Sequence, residues 1–264
     1  MSEQLREQDV KIALIDWLFK KGLLSDAAII NEMVVANWSR RADIAIANGH
    51  LQAFEIKSDF DSLKRLDGQL QIFTSRFEKV TVVCSPKFTC EVTNRVRPDV
   101  GIIEYHTDNH GVRFKVIQRG RVCSRLNKNV YLSFLLKAEL KNLLIENGNN
   151  TSNDLNRNSL EAIAEKLPLN KIRGFVLSSI KKRYKVTSEK FLARLHDHDP
   201  ISISDLKLLS KAKHNNEISE KYFTHVLFNK EPQEFHSVDT DLLRKKYGEM
   251  NFVIPERVLK RVIR

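Results

Sequence analysis

The sequence is short of cysteine and has no long apolar run, and each shortage closes off a class of protein. Three cysteines, Cys84, Cys90 and Cys123, are an odd number and lack the Cys-x-x-Cys spacing of a thiolate metal site. They predict neither a disulfide framework nor a structural zinc, and they point to a reducing compartment, the cytoplasm. Nowhere do roughly 18 apolar residues follow one another, so no membrane span and no membrane partner is expected. The opening MSEQLREQD is polar and predicts no secretory signal. Internal repeats and low-complexity tracts are missing as well.

Acid is the remaining shortage. Against 44 Lys+Arg stand 33 Asp+Glu, a net charge of +11. Residues 1–127 hold 19 basic and 16 acidic side chains, a balance of +3, and residues 128–264 hold 25 and 17, a balance of +8. A chain this basic suits a polyanionic partner, most often nucleic acid. With 264 residues, 42% apolar and 29% charged, it has the makings of a soluble protein with a real core, in one large domain or two small ones.

Hydrophobic periodicity lays out the first half. Val10, Leu14, Trp17 and Leu18 recur at helical spacing and predict a helix over 3–21, ended by Gly22. Glu7 falls in its first turns, where an acid favours the helix dipole. Ile29–Val35 is a β-branched run with Glu32 in its middle. Ala42–Ala47 and Leu51–Lys57 read as a hairpin around Asn48-Gly49. Its register decides which side chains share a face. A two-residue turn would set Asp43 opposite Phe54. A three-residue turn, Asn48-Gly49-His50, sets Asp43 opposite Glu55. It also gathers Ile44, Ile46, Phe54 and Ile56 on one apolar face, with Arg41, Asp43, Glu55 and Lys57 on the other. The second register is expected on the apolar face alone, and it brings the two carboxylates within about 5 Å at Cβ.

A helix over Asp61–Phe77 follows, with Asp61 or Ser62 as N-cap and Leu63, Leu66, Leu70 and Phe73 as its stripe. Strands are expected at Val80–Cys84, Val100–Tyr105 and Gly111–Gln118. The order α-β-β-β-α-β predicts an α/β fold with a mixed central sheet over 1–127. From 128 to 264 helical periodicity takes over, predicting a basic, mainly helical domain. Leu132–Glu146 reads as one helix. Leu160–Leu167 and Lys171–Tyr184 read as two more, joined by Pro168-Leu169-Asn170. The last carries Lys171, Arg173, Lys181, Lys182, Arg183 and Lys185. This pair reads either as a helix-turn-helix that grips DNA or as an ordinary α-hairpin with a solvated face.

Two carboxylates and a lysine on neighbouring strands are a recognisable chemical set. Hydrolysis of a phosphodiester needs an activated water and a stabilised phosphate, which a bound Mg²⁺ or Mn²⁺ helps to supply. Such ions favour oxygen ligands: Asp43, Glu55 and the Ile56 carbonyl. Lys57 would meet the attacking water or the phosphate. ADIAIANGHLQAFEIK, FEIKSDFDSLKRLDGQ and the REQDVKIALIDWL helix resemble the core of the PD-(D/E)XK nuclease superfamily. Within it they resemble the bacterial sce-type proteins, most closely over residues 4–85. The resemblance implies a restriction-endonuclease-like core, Asp43 and Glu55 as metal ligands, and Lys57 as the catalytic lysine. It implies a polar partner at Gln69 and a further metal-supporting acid at Glu7 or Glu32. The proline that names the motif is replaced by Ala42. Arg41 would touch a phosphate or pair with an acid. The expected function is a metal-dependent nuclease acting on DNA, or on RNA, in bacterial or phage defence, repair or recombination, often as a homodimer. The alternative is a nucleic-acid-binding regulator that keeps the fold without turnover.

Overall fold

The computed structural model describes residues 4–35, 40–109, 111–123, 126–149, 155–197, 201–210, 235–237 and 257–259. The chain forms two compact units, Met1–His214 and Asn215–Arg264. The first opens with helix α1 (Glu7–Lys20), then β1 (Ala28–Val35), β2 (Arg40–Ala47) and β3 (Leu51–Lys57). Helix α2 (Leu66–Arg76), β4 (Lys79–Cys84), α3 (Pro86–Arg95), β5 (Gly101–Asp108) and β6 (Gly111–Gln118) follow. The predicted α-β-β-β-α-β order is therefore present. All six strands form one sheet in chain order. β3, β4 and β5 are parallel to one another, and the other pairs are antiparallel.

The hairpin adopts the three-residue turn. Ala47 pairs with Leu51 and Ile44 with Phe54, and Gly49 takes the turn's positive φ of 99°. Ile44, Ile46, Phe54 and Ile56 lie together against Val10, Leu14, Ile15 and Leu18 of α1. The opposite face is not polar along its length, as the register argument alone implied. Ala45, Ala47, Leu51 and Ala53 are buried there beneath Leu70 and Phe73 of α2. The sheet is covered on both sides, and small alanines let the second layer approach closely.

The helices after residue 127 build part of that second layer. They are α4 (Lys128–Leu132), α5 (Lys137–Glu146), α6 (Arg157–Ala164) and α7 (Leu169–His196). Leu132, Leu140, Leu160, Ile172, Val176 and Ile180 join the core of the sheet's alanine face. The expected boundary at 127 thus falls inside the first unit rather than at its edge. α7 is 28 residues long, well past the predicted end at Tyr184. It continues until Phe191 and Leu195 reach the other core, beside α1. On the way it guards the open edge of β1, where Ser188 Oγ accepts from Ile29 N at 2.9 Å. A helix over an edge strand satisfies its backbone and blocks pairing with another chain. α8 (Ile203–Leu206) and a 3₁₀ turn (Lys207–Leu209) close this side.

Other departures have local causes. α2 begins at Leu66, because Asp61 Oδ2 accepts from Ser58 N at 2.8 Å and from Ser58 Oγ. That local turn replaces the predicted cap. The single helix expected over Leu132–Glu146 is α4 and α5, broken between them at 133–136. α3 was not anticipated, although Pro86 stands at its first turn, where a fixed φ costs nothing. In the second unit, expected to be helical, Phe235–Ser237 (β7) pairs antiparallel with Arg257–Leu259 (β8).

Candidate functional site

The predicted site residues meet where β2 parts from β3. The ladder between these strands is paired through Ile44 and Phe54. One step on, a continuing ladder would give the Ile56 N–H to the carbonyl of Ala42. Instead Asp43 Oδ2 accepts from Ile56 N at 2.7 Å. In an extended strand the N–H and C=O of one residue point the same way. The Ile56 carbonyl therefore faces the same gap as the Asp43 carboxylate. The sequence motif thus marks the place where backbone pairing stops and side-chain chemistry begins.

Glu55 and Lys57 flank Ile56 and are almost wholly buried, at 1% and 4% exposure. Lys57 Nζ donates to Glu55 Oε1 at 2.8 Å and to Gln69 Oε1 at 3.0 Å. Gln69 Nε2 in turn donates to Glu55 Oε1. Gln69 comes from α2, so the helix covering the alanine face locks this pair. Glu55 Oε2 is buried and has no hydrogen-bond partner among the described residues. A bare carboxylate oxygen in that setting is costly unless it is protonated or meets a cation. The acidities agree. Burial, with the charge of Glu55 beside it, pushes the Asp43 carboxyl well above the usual range, against the opposing charge of Lys11. Burial also raises Glu55, although Lys57 and Gln69 act to lower it.

The helix before the sheet adds a second cluster. Lys11, only 2% exposed, sits on α1 among three acids. Its Nζ is 2.6 Å from Glu7 Oε1, in contact with Glu32 Oε1, and 3.9 Å from Asp43 Oδ1. Burial disfavours its charge, but Asp43 and the hydrogen bonds to Glu32 and Glu7 outweigh that and raise its pKa. Ligand atoms of Glu7, Glu32 and Asp43 lie within 4.8 Å of one another. Both rival acids from the sequence therefore reach the site. Glu32 does so from a left-handed backbone, φ 60°, inside β1. A non-glycine residue held there costs roughly 1–3 kcal/mol, and such strain gathers at functional positions. Arg41 pairs with the same Glu32, the acid-pairing alternative of its two expected roles. Lys11 was missed by sequence reasoning. Its signal was present: a lysine one residue along from Val10 and three before Leu14 in the apolar stripe, four residues after Glu7.

The cations of α7 do not converge on this centre. Arg173 Nε binds Glu78 Oε1 at 2.5 Å, and its Nη2 donates to the Gly49 carbonyl at 2.6 Å. Arg183 binds Glu139 and the Phe134 carbonyl. Both are engaged in ion pairs within the fold, with the Arg173 side chain 33% exposed and that of Arg183 12% exposed. Lys181 pairs with Asp26 at 2.6 Å, Lys171 donates to Asn147 Oδ1 at 3.2 Å, and Lys185 lies 3.8 Å from Glu189. Lys171, Lys182 and Lys185 are exposed. The apolar faces of α6 and α7 lie in the core.

Fold and site together define a mixed α/β protein with a carboxylate–lysine centre at a strand divergence. A family model described as Bacteriophage P4 protein cII matches residues 1–210, the span that holds the sheet, its covering helices and the whole site. The chain belongs to that family. It is 65% identical over 263 residues to Protein cII of Enterobacteria phage P4, covering 100% of both chains. Among solved structures, a protein of unknown function from Silicibacter pomeroyi is similar with a TM-score of 0.32 and 14% identity. It covers 52% of this chain and 89% of that one. Among the described residues no helix is long and apolar enough to cross a membrane.

Proposed function

We propose that this protein is a divalent-metal-dependent nuclease of PD-(D/E)XK type that cuts DNA during phage defence, repair or recombination. The observation that carries the reading is the buried Glu55 Oε2, without a partner among the described residues, beside an Asp43 whose carboxyl is raised by burial and then by the charge of Glu55. Two carboxylates beside one gap are a fit for a cation. Asp43, Glu55 and the Ile56 carbonyl are oxygen donors, the kind that Mg²⁺ or Mn²⁺ takes. Such an ion, when bound, polarises a phosphate oxygen and lowers the pKa of a coordinated water.

The protein's own groups supply the rest. Lys57 is fixed by Glu55 and Gln69. Its ammonium is therefore held for the phosphate or the attacking water rather than swinging in solvent. Gln69 contacts both partners and sets their spacing. The +11 net charge supports a nucleic-acid substrate through long-range attraction.

The test is a cleavage panel of linear, circular, single-stranded and branched DNA and of RNA, with Mg²⁺ and with Mn²⁺. Cleavage by the native chain that disappears in Asp43→Ala and in Lys57→Ala, while DNA is still retarded on a gel, is the expected result. Equal metal-dependent cleavage in both variants would overturn the assignment. DNA that is bound and never cut would mark a non-catalytic binder.

A further inference from the structure

The Glu7–Glu32–Asp43 cluster has the spacing of a metal site, yet its centre is taken by a side chain of the protein itself. We propose that Lys11 is a built-in cation in the place of a second divalent ion. The centre then binds one metal only, and Glu7 and Glu32 are partners of Lys11 rather than metal ligands. This rests on the reading of Asp43 and Glu55 as the metal-holding pair.

Three observations carry it. The first is position. Two-metal phosphodiesterases hold their ions roughly 3.5–4 Å apart around a shared carboxylate. Asp43 would be that shared group. Its Oδ2 faces Ile56 N, and its Oδ1 lies 3.9 Å from Lys11 Nζ. An ion held by Glu7, Glu32 and Asp43 would have to sit where Nζ is. The second is confinement. Lys11 is 2% exposed, and its helix packs Val10 and Leu14 against the sheet. An ammonium displaced from its acids would be left buried and unpaired, which is strongly unfavourable. Glu32 is also committed to Lys11 and Arg41 through a strained backbone.

The third is charge. Glu7, Glu32, Asp43 and Glu55 face Lys11, Lys57 and Arg41. Four anions against three cations leave one negative charge. One divalent ion and one phosphodiester bring the centre to neutrality. A second divalent ion would leave it doubly positive.

The experiment counts ions on the full chain by calorimetric and EPR titration with Mn²⁺ alone, without substrate. One Mn²⁺ per chain is expected for the native protein and two for Lys11→Met, whose side chain keeps the volume and loses the charge. Glu32→Gln keeps Lys11 in place, so it serves if Lys11→Met does not fold. It is expected to bind one Mn²⁺ within about threefold of the native affinity, whereas loss of a supporting metal contact costs ~10–100-fold. Two ions on the native chain, or a tenfold or greater weakening in Glu32→Gln, would overturn the inference while leaving the metal centre standing. No Mn²⁺ on the native chain, with Asp43→Asn behaving the same, would overturn the metal reading itself.

Discussion

Two buried glutamates, Glu78 beside the first residue of β3 and Glu55 within that strand, show what separates a saturated acid from an unsaturated one. Glu78 is 2% exposed and Glu55 is 1% exposed, so burial does not distinguish them. Their partners do. Glu78 Oε2 accepts from Leu51 N at 2.6 Å, and Oε1 accepts from Tyr131 Oη at 2.8 Å and from Arg173 Nε. Both oxygens are satisfied, and the residue ties the start of β3 to α4 and α7. Glu55 has one oxygen shared by Lys57 and Gln69 and the other left without a partner among the described residues. A saturated acid is a strut, whereas one left with an unpaired oxygen is poised for something else. Arg173 is paired with Glu78, as Arg183 is with Glu139.

The comparison can be broken at each end. Glu78→Ala is expected to have the largest effect, a loss of about 3 kcal/mol in chemical unfolding. It strands the Leu51 N–H, the Tyr131 hydroxyl and the Arg173 guanidinium together. Its response to Mg²⁺ should survive. A stability within error of the native chain would remove Glu78 from its role as a strut. At the other end, Glu55→Gln removes a buried charge. Its melting temperature without metal should fall, though less than that of Glu78→Ala, because the buried Lys57 loses its charge partner and keeps Gln69 as an acceptor, while the rise produced by Mg²⁺ disappears. A variant that melts far lower and still responds to the ion would reverse the two roles.

The pH dependence sharpens the same contrast. Asp43 and Glu55 have folded carboxyl pKa values above their usual ones. In the folded chain they keep protons that the unfolded chain releases near pH 4. Stability without metal should therefore fall as pH climbs from about 4 through the raised folded values, then level off. A divalent ion takes the place of those protons, so stabilisation by Mg²⁺ should grow over that same window. Thermal melts at several pH values with and without the ion check this, and a metal effect as large at pH 4 as at pH 8 would refute it. The smallest effect belongs to the solvent side of α7. Lys182→Ala with Lys185→Ala should leave stability within about 0.5 kcal/mol. If these side chains contact phosphates, the salt slope of DNA binding drops by about 1 for each. An unchanged slope would place the DNA surface elsewhere.

The Asp43–Glu55–Lys57 motif and its register were readable because a hairpin is a local object. Asn48-Gly49-His50 and the alternation of Ile44, Ile46, Phe54 and Ile56 specify the pairing without help from the rest of the chain. α3 carries no apolar stripe that periodicity could detect, since Val92 is its buried residue. The length of α7 was underestimated because its buried face changes partners. Ile172, Val176 and Ile180 meet one core, and Phe191 and Leu195 meet the other. No single stripe of one period describes such a helix.

By itself, the sequence determined the α-β-β-β-α-β order, the three-residue turn and the pairing that aligns Asp43, Glu55 and Lys57. Period and turn chemistry act over a few residues, and nothing distant contradicted them. Only the tertiary structure decided the electrostatics. It brought Lys11 from α1 between Glu7, Glu32 and Asp43, placed Gln69 on Glu55 and Lys57, and paired Arg173 with Glu78 and Arg183 with Glu139. The physical reason is range. The charge that an acid meets depends on which elements fold over it, and those elements lie 21 residues away for Lys11 and Glu32 and 95 for Glu78 and Arg173.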